Sequence, residues 1–419
     1  MENIADYNYR KFLFRRILLL FAALVFISLW PAAGPVRAAA TLSKAQLAGV
    51  LAGNLSQLVS NPSIVLKTGQ GSVLVESTLW PQLQSQAEDL LVKSKSVRAS
   101  LVLLDAQTGQ VLVMAGAKGK RPDPRVALSA DPPAASLFKI VTAAAAVEET
   151  NLTPNSNLTY VGRPHTLYAS QIRPGRPAQG NKVTLRQSFA ASNNPVFANL
   201  GIHLLGRDLL LWYGRALGFE SAIPFELPLA VSSLAPVSGQ FALGELASGY
   251  NRDTTISPLH AALLGGVFVN GGRLMEPYVV RQVSSNKGDI LYQGGPRSLG
   301  RIVSPKTAAH MLGMFEATVK EGTARAQFRQ ASSDPVLRNL FIGGKTGTIS
   351  RHQINEHYEW FVGIAQDPKN GRSYAVACLM VHGKVRGQSA KELARMLLRN
   401  AFSDKEPTQI VSRPAKPNS

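Results

Sequence analysis

A serine and a lysine, Ser136 and Lys139, stand three residues apart in an apolar stretch of the chain. Asp131, Pro132 and Pro133 interrupt what precedes them, and the alanine-rich sequence that follows favours a helix. Both side chains then lie on one helix face, and the apolar surroundings favour the neutral form of the lysine. A neutral amine beside a serine hydroxyl is a nucleophile with its general base. Taken alone, the pair also fits a serine N-cap followed by a lysine that reaches solvent.

Two further polar motifs follow at long spacing. They are Ser-Asn-Asn at residues 192–194 and Lys-Thr-Gly-Thr at residues 345–348. Taken singly, the first fits a helix cap and the second a β-turn. Ser-x-x-Lys, Ser-Asp-Asn and Lys-Thr-Gly together are the signature of class A β-lactamases and penicillin-binding proteins. All three occur here in that order, with Asn193 in the place of the aspartate, and the set is far more specific than any one member.

On these motifs the chain resembles the penicillin-binding transpeptidases, the acyl-serine enzymes that cross-link peptidoglycan. The resemblance runs from about residue 97 to residue 402 and includes a Gly-Thr-Ala-Arg stretch at residues 322–325. It implies an α/β fold of the α+β type, in which helices and an all-helical subdomain flank a central antiparallel sheet, as in the serine β-lactamases. The Gly-Gln-Gly that the family often carries just upstream of the stretch at residues 254–262 is missing there, and Ser-Gly-Tyr-Asn stands at residues 248–251 instead.

The resemblance implies that some motif residues act in catalysis and others bind the substrate. Four are expected to act in catalysis: Ser136, Lys139, Ser192 and Lys345. Ser136 would attack the carbonyl between the two terminal D-alanines of a stem peptide, and Lys139 would accept its proton. Ser192 would relay a proton to the leaving amine. Desolvation and repulsion between the two lysines would keep one amine neutral.

Four further residues are expected to bind the substrate: Asn194, Thr346, Gly347 and Thr348. Asn194 would hold the substrate amide. The two threonines alternate along one strand, so both suit the terminal carboxylate together with the charge of Lys345. Gly347 would let the peptide approach the backbone, and the N–H groups of Ser136 and Thr348 would form an oxyanion hole.

A glutamate after the second motif suggests an alternative chemistry. Class A β-lactamases carry Glu-x-x-Leu-Asn, whose glutamate activates the deacylating water. Glu226 and Leu229 match this pattern, but Ala230 replaces the asparagine and prolines surround it. We therefore interpret Glu226 as part of a structural loop rather than as a catalytic base.

The first forty residues have the layout of an export signal. Basic residues at positions 10, 11, 15 and 16 precede residues 17–30, which are apolar except for Ser28, and small residues follow. The apolar stretch is short for a bilayer span, which needs about 20 residues. The pattern predicts that residues 1–40 are a signal peptide or a membrane anchor. The rest would be exported to the periplasmic side of the inner (cytoplasmic) membrane, anchored by or cleaved after residues 17–40.

Three parts are predicted behind this segment. Residues 41–95 form a small N-terminal segment with leucines at helical spacing, too short for a glycosyltransferase domain. Residues 96–402 form the penicillin-binding transpeptidase domain. Residues 403–419 are polar and contain proline, which predicts a disordered tail.

Charge and composition limit the partners and cofactors. The 419 residues carry 45 Lys and Arg against 26 Asp and Glu, a net charge of +19 that suits anionic partners such as the inner-membrane surface. No zinc-finger spacing or RNP-type aromatic motif supports nucleic acid as a partner. The scattered histidines predict no metal, and no cofactor is expected. Cys378, the only cysteine, lies in an apolar run typical of a buried strand.

The sequence thus predicts a D,D-transpeptidase that binds stem peptides and β-lactams, with a glycosyltransferase as a candidate partner. A D,D-carboxypeptidase and a serine β-lactamase remain alternatives, since both pass the same acyl-enzyme to water. Asn194 argues against a class D β-lactamase, in which a valine is expected there. A non-enzymatic alternative is a penicillin-binding scaffold for wall assembly that uses the same pocket.

Overall fold

The structure, a computed structural model, describes residues 42–68, 71–173 and 180–403. These residues belong to one compact unit that begins at Leu42. The predicted signal or anchor, residues 1–40, lies outside the described residues, and so does the predicted tail except Ser403, the last residue of a helix. Within the described ranges, no helix combines the length and apolar character that a bilayer crossing requires.

Strands and helices follow one another in short runs along the described chain. The strands are β1 (Ser63–Thr68), β2 (Gly71–Ser77), β3 (Arg98–Asp105), β4 (Val111–Lys118), β5 (Arg121–Pro122), β6 (Asn157–Tyr160), β7 (Asn181–Thr184), β8 (Arg273–Met275), β9 (Val280–Ser285), β10 (Ile290–Gln293), β11 (Ser298–Arg301), β12 (Phe341–Arg351), β13 (Glu356–Gln366) and β14 (Ser373–His382). The helices are α1 (Lys44–Ala52), α2 (Leu55–Ser60), α3 (Pro81–Lys93), α4 (Lys139–Glu149), α5 (Leu185–Ala190), α6 (Asn194–Leu200), α7 (Gly206–Ala216), α8 (Gln240–Ser248), α9 (Pro258–Val269), α10 (Pro305–Lys320), α11 (Arg325–Phe328) and α12 (Ala390–Ser403).

A six-stranded antiparallel sheet forms the centre of the fold. Its strand order is β12-β13-β14-β3-β4-β5, which leaves β12 at one edge. Every residue of β14 is buried, because helices cover both faces of the sheet at this strand. This explains why its sequence is a continuous apolar run instead of an alternating one. Cys378 lies in this strand, fully buried, as predicted.

Helices pack on both faces of this sheet. On one face, α3 and α12 pack against β4, β13 and β14, around a core that includes Leu91, Cys378 and Leu397. On the other face, α9 packs against β3, β13 and β14, and α10 packs against β12. The predicted arrangement, an antiparallel sheet flanked by helices, is confirmed.

A bundle of helices on the second face carries the middle motif. In this bundle α4 packs against α6, α7 and α8, and α10 packs against α5. The sequence predicts that residues 195–220 are helical with a stop at Gly218, and the structure divides this stretch by a π-helical turn, Gly201–Leu205. The division follows from Gly206, whose φ of 75° and ψ of 172° lie outside the helical region.

Residues 41–95 contribute to a second sheet. Its strand order is β1-β2-β9-β10, so the N-terminal segment contributes β1 and β2, and β2 pairs with β9 from much later in the chain. Lys44 at the start of α1 forms ion pairs with Glu226 at 3.3 Å and Glu276 at 2.7 Å. Glu226 is fully buried and also accepts hydrogen bonds from Tyr292 (2.6 Å) and the Val279 amide (3.1 Å). These partners make Glu226 a structural residue that holds the N-terminal helix.

Candidate active site

Ser136 lies in a short turn that leads directly into α4. The predicted first helical turn is a 3₁₀ turn, Ala135–Phe138, and α4 begins at Lys139. The indole N–H of Trp360 on β13 donates a hydrogen bond of 2.8 Å to the Pro133 carbonyl just before this turn. The central sheet therefore fixes the position of the serine.

Lys139 is fully buried and has three polar neighbours. Its Nζ lies 2.9 Å from Ser136 Oγ, 2.6 Å from Asn194 Oδ1 and 2.5 Å from the carbonyl oxygen of Ser248. The last two atoms can only accept hydrogen bonds. A neutral amine has two N–H groups, which these carbonyl oxygens take, and its lone pair is then left for the hydroxyl proton of Ser136. The arrangement suits a general base.

The electrostatics of the site favour this neutral form. Burial lowers the pKa of Lys139 well below its usual value, and the charge of Lys345 lowers it further. Burial alone lowers the pKa of Lys345 to about 7. Because Lys139 carries the additional repulsion, it loses its proton first as the pH rises, while Lys345 keeps its charge.

Lys345 reaches the site from the edge strand β12. Its Nζ donates hydrogen bonds to Ser192 Oγ at 3.0 Å and to the Thr346 carbonyl at 2.8 Å, and its side chain is fully buried. The Phe189 ring lies 5.6 Å from the same nitrogen, where its face stabilises a positive charge. Ser192 therefore lies beside the lysine that remains charged.

The three residues of the middle motif make different contacts. Asn193 caps α6, since its side chain accepts a hydrogen bond of 3.1 Å from the Val196 amide. The cap that this motif suggests is therefore real, but it involves only the central residue. Ser192, with a φ of 58°, and Asn194 lie on either side of it and contact Lys345 and Lys139, respectively.

The third motif lies along β12 at the edge of the sheet. Thr346 is nearly buried and Thr348 is exposed, and alternate backbone N–H groups of an edge strand point away from the sheet. A Cβ at Gly347 would lie 3.2 Å from Trp360 Cβ and 3.3 Å from the Ala134 carbonyl oxygen. The structure thus adds a reason for this glycine, because it lets β12 lie close to the turn that carries Ser136.

Three groups near the site lie outside the three motifs. They are the Ser248 carbonyl, His165 and Thr323. The backbone carbonyl of Pro164 accepts a hydrogen bond of 2.6 Å from the backbone N–H of Asn194, which places the residue next to His165 beside the middle motif. Burial, together with the charges of the two lysines, lowers the pKa of His165. Nothing in a sequence marks one backbone carbonyl as part of a site. Thr323, in contrast, belongs to the family-like stretch at residues 322–325, which could have pointed to it.

Other reactive groups of the described residues lie away from this cleft. Burial raises the pKa of the Cys378 thiol well above its usual value, which disfavours the nucleophilic thiolate. In the part of the chain that the structure describes, no group of three or more His, Cys, Asp and Glu side chains is placed to hold a metal ion.

The fold and the site define a serine acyl-transfer architecture of the penicillin-binding type. The chain matches the family model of the penicillin binding protein transpeptidase domain over residues 99–399. It therefore belongs to the penicillin-binding protein transpeptidase family. It is 28% identical over 346 residues to the peptidoglycan D,D-transpeptidase PbpA of Mycolicibacterium smegmatis, an alignment that covers 74% of this chain and 67% of that protein.

Solved structures show the same relationship. The crystal structure of PBPA from Mycobacterium tuberculosis is similar with a TM-score of 0.64 and 25% identity, over 79% of this chain and 80% of that chain. The D,D-transpeptidase domain of a peptidoglycan glycosyltransferase from Eggerthella lenta shares the fold, with a TM-score of 0.63 and 24% identity over 83% of this chain and 86% of that chain.

The two lysines predict a bell-shaped pH profile for acylation. We expect the second-order rate constant with benzylpenicillin to rise with pH as Lys139 becomes neutral, and to fall above about pH 7 as Lys345 loses its charge. The Lys345→Arg enzyme, whose guanidinium stays charged, should react more slowly but lack the descending limb. Rapid-mixing measurements between pH 4 and 9 check this, and a descending limb retained in the arginine enzyme would contradict it.

Proposed function

We propose that this chain is a peptidoglycan D,D-transpeptidase that cross-links stem peptides through an acyl-serine intermediate and is acylated by β-lactams. One observation carries the proposal: Ser136 Oγ lies 2.9 Å from a buried amine whose other two neighbours are carbonyl oxygens. Family membership supports it, as does the name of the relative from M. smegmatis, a peptidoglycan D,D-transpeptidase.

Acylation begins with Ser136 and Lys139. The serine oxygen attacks the carbonyl carbon between the two terminal D-alanines while its proton passes to the lysine Nζ. Asn194 Oδ1 already accepts from Lys139, so the amide nitrogen of Asn194 remains to donate to the substrate. The N–H groups of Ser136 and Thr348 stabilise the tetrahedral oxyanion, a contribution of about 3–4 kcal/mol per donor in acyl transfer.

Collapse of the tetrahedral intermediate requires a proton on the leaving amine. Ser192 relays to it the proton that Lys139 took from Ser136, through a hydroxyl whose oxygen accepts a hydrogen bond of 3.0 Å from Lys345 Nζ. The C–N bond breaks, the last D-alanine leaves with a free amino group, and an ester to Ser136 remains. The charge of Lys345 and the hydroxyls of Thr346 and Thr348 bind the terminal carboxylate.

The acyl group then passes to the amine of a second stem peptide: a C–N bond forms, the ester bond to Ser136 breaks, and the proton from the amine returns to the serine oxygen by way of Lys139. If water takes this place, the same site acts as a D,D-carboxypeptidase. A serine β-lactamase needs a base for the deacylating water, and Glu226, the one candidate from the sequence, is buried against Lys44 and Tyr292 instead. This placement favours the transpeptidase over the β-lactamase.

Export of the catalytic domain is part of the proposal. The basic and apolar residues of the N-terminal segment support a position on the periplasmic side of the inner membrane, with residues 17–40 as an anchor or a cleaved signal. The net charge of +19 is suited to an anionic membrane surface. A separate glycosyltransferase would make the glycan strands that this enzyme joins.

The test is acylation of the full chain by benzylpenicillin, followed by intact-mass and peptide-mapping mass spectrometry. We expect one stable adduct on Ser136, none on the Ser136→Ala enzyme, and an unchanged adduct on Ser56→Ala, in which an exposed serine of α2 is replaced. A label on another residue would overturn the site. Sustained nitrocefin turnover would indicate a β-lactamase, and a Ser136→Ala enzyme that still complements a deletion strain would indicate a scaffold.

A purified stem-peptide substrate separates the two peptidase activities. We expect release of D-alanine together with a cross-linked dimer, detected by chromatography. Release of D-alanine without dimer would indicate a carboxypeptidase.

A further inference from the structure

A threonine outside the three motifs contacts the third motif. Thr323 follows α10 and is exposed, while Thr346 on β12 is nearly buried. Their hydroxyl oxygens lie 2.6 Å apart, the distance of a short O–H···O hydrogen bond. One of the two hydroxyls therefore donates its proton to the other.

The surroundings indicate which hydroxyl donates. The Ala190 carbonyl oxygen at the end of α5 accepts a hydrogen bond of 3.1 Å from the backbone N–H of Thr323. The hydroxyl oxygen of Thr323 lies 3.3 Å from the same carbonyl oxygen. A carbonyl oxygen has two lone pairs, so in the free enzyme the Thr323 hydroxyl donates to Ala190 and accepts from Thr346. A bound carboxylate can only accept hydrogen bonds, and when one is present the Thr323 proton turns to Thr346 instead. The proton of Thr346 is then free to be donated to a third group.

The loop that carries Thr323 is held closely in place. A Cβ at Gly322 would overlap the Ala190 carbonyl oxygen, and the Ala324 amide donates a hydrogen bond of 3.1 Å to the Thr318 carbonyl in α10. Thr323 thus links α5, which leads into the middle motif, to the strand of the third motif. Its hydroxyl is positioned by backbone contacts on both sides.

We propose that Thr323 is a positioning residue that orients the Thr346 hydroxyl toward the carboxylate of the substrate. This inference rests on the proposed function, in which Thr346 binds that carboxylate. Without the Thr323 hydroxyl, the Thr346 hydroxyl can rotate away from the carboxylate. One charge-assisted hydrogen bond to the carboxylate then weakens. Thr323 acts through Thr346 and needs no contact with the substrate.

The test compares two ligands that differ only at the carboxylate, benzylpenicillin and its methyl ester. We expect Thr323→Val to lower the second-order acylation constant for benzylpenicillin by about tenfold, the loss of one such hydrogen bond. The constant for the ester should change less than twofold. The loss should appear mainly in the binding step, because the chemistry at Ser136 is untouched.

Two further variants keep the inference falsifiable. Thr323→Ser retains the hydroxyl and should restore the wild-type ratio of the acylation constants for the two ligands. Thr323→Ala provides a second apolar variant. Unfolding temperatures confirm that each enzyme is folded. Equal losses with acid and ester, or no loss in either apolar variant, would overturn the role of Thr323. A wild-type enzyme that benzylpenicillin does not acylate would instead overturn the proposed function and this inference with it.

Discussion

Replacing Lys139 with methionine is expected to slow acylation of Ser136 by about 10²–10⁴-fold, the usual contribution of a positioned general base. The lysine is fully buried and the serine oxygen lies 2.9 Å from its Nζ. Methionine has a similar length, but its thioether is not basic enough to accept the proton. Mass spectrometry of the benzylpenicillin adduct against time gives the rate.

Two companion variants show whether the base or the packing is responsible. Lys139→Arg keeps a cation but cannot become neutral, so it should be as slow as the methionine enzyme. Lys93→Met removes a lysine from the exposed surface of α3, where its side chain is 73% exposed, and should acylate at the wild-type rate. A Lys139→Met enzyme within tenfold of wild type would contradict the assignment of Lys139 as the base.

Gly249→Ala is expected to destabilise the protein and to slow acylation by about 10²-fold, the effect of displacing a catalytic group by about 1 Å. Gly249 has a φ of 64°, and an added Cβ would overlap the Ala135 carbonyl oxygen and lie 2.6 Å from its carbon. Ala135 is the residue before the nucleophile and itself has a φ of 48°. The Ser248 carbonyl, which accepts a hydrogen bond from Lys139, directly precedes Gly249. The substitution would therefore displace both this acceptor and the turn that carries Ser136.

A matched glycine separates backbone strain from displacement of the site. Gly119 has a φ of 57°, and an added Cβ there would meet nothing within 4 Å. Gly119→Ala should therefore lose only about 1–2 kcal/mol for the left-handed backbone and keep its acylation rate. Urea unfolding and adduct formation measure the two effects. Equal behaviour of the two variants would show that the Ser248–Gly249 segment does not position the nucleophile.

Local sequence predicted the elements with strong patterns. The apolar run around Cys378 is β14, and the helical spacing before residue 95 corresponds to α1, α2 and α3. Prediction was poorer where a single backbone angle decides the outcome. Residues 195–220 are divided at Gly206, whose φ of 75° lies outside the helical region, and the turn that carries Ser136 is 3₁₀ instead of α-helical.

Side-chain identity and spacing along the chain determined much of the site. Ser136 and Lys139 are three residues apart, so their contact follows from helical geometry alone. The remaining contacts join positions far apart in the chain. Ser192 meets Lys345 only because α10 brings α5 against β12, and Thr323 meets Thr346 through the same packing.

By itself, the sequence predicted the kind of chemistry, a serine nucleophile with an amine base, and the polar groups that would bind a carboxylate. The tertiary structure alone decided which amine is neutral, because the pKa of a lysine depends on its burial and on the distance to the other charge. The tertiary structure alone also identified the Ser248 carbonyl as a hydrogen-bond acceptor for Lys139. Every residue has a backbone oxygen, and only the fold places this one beside the lysine.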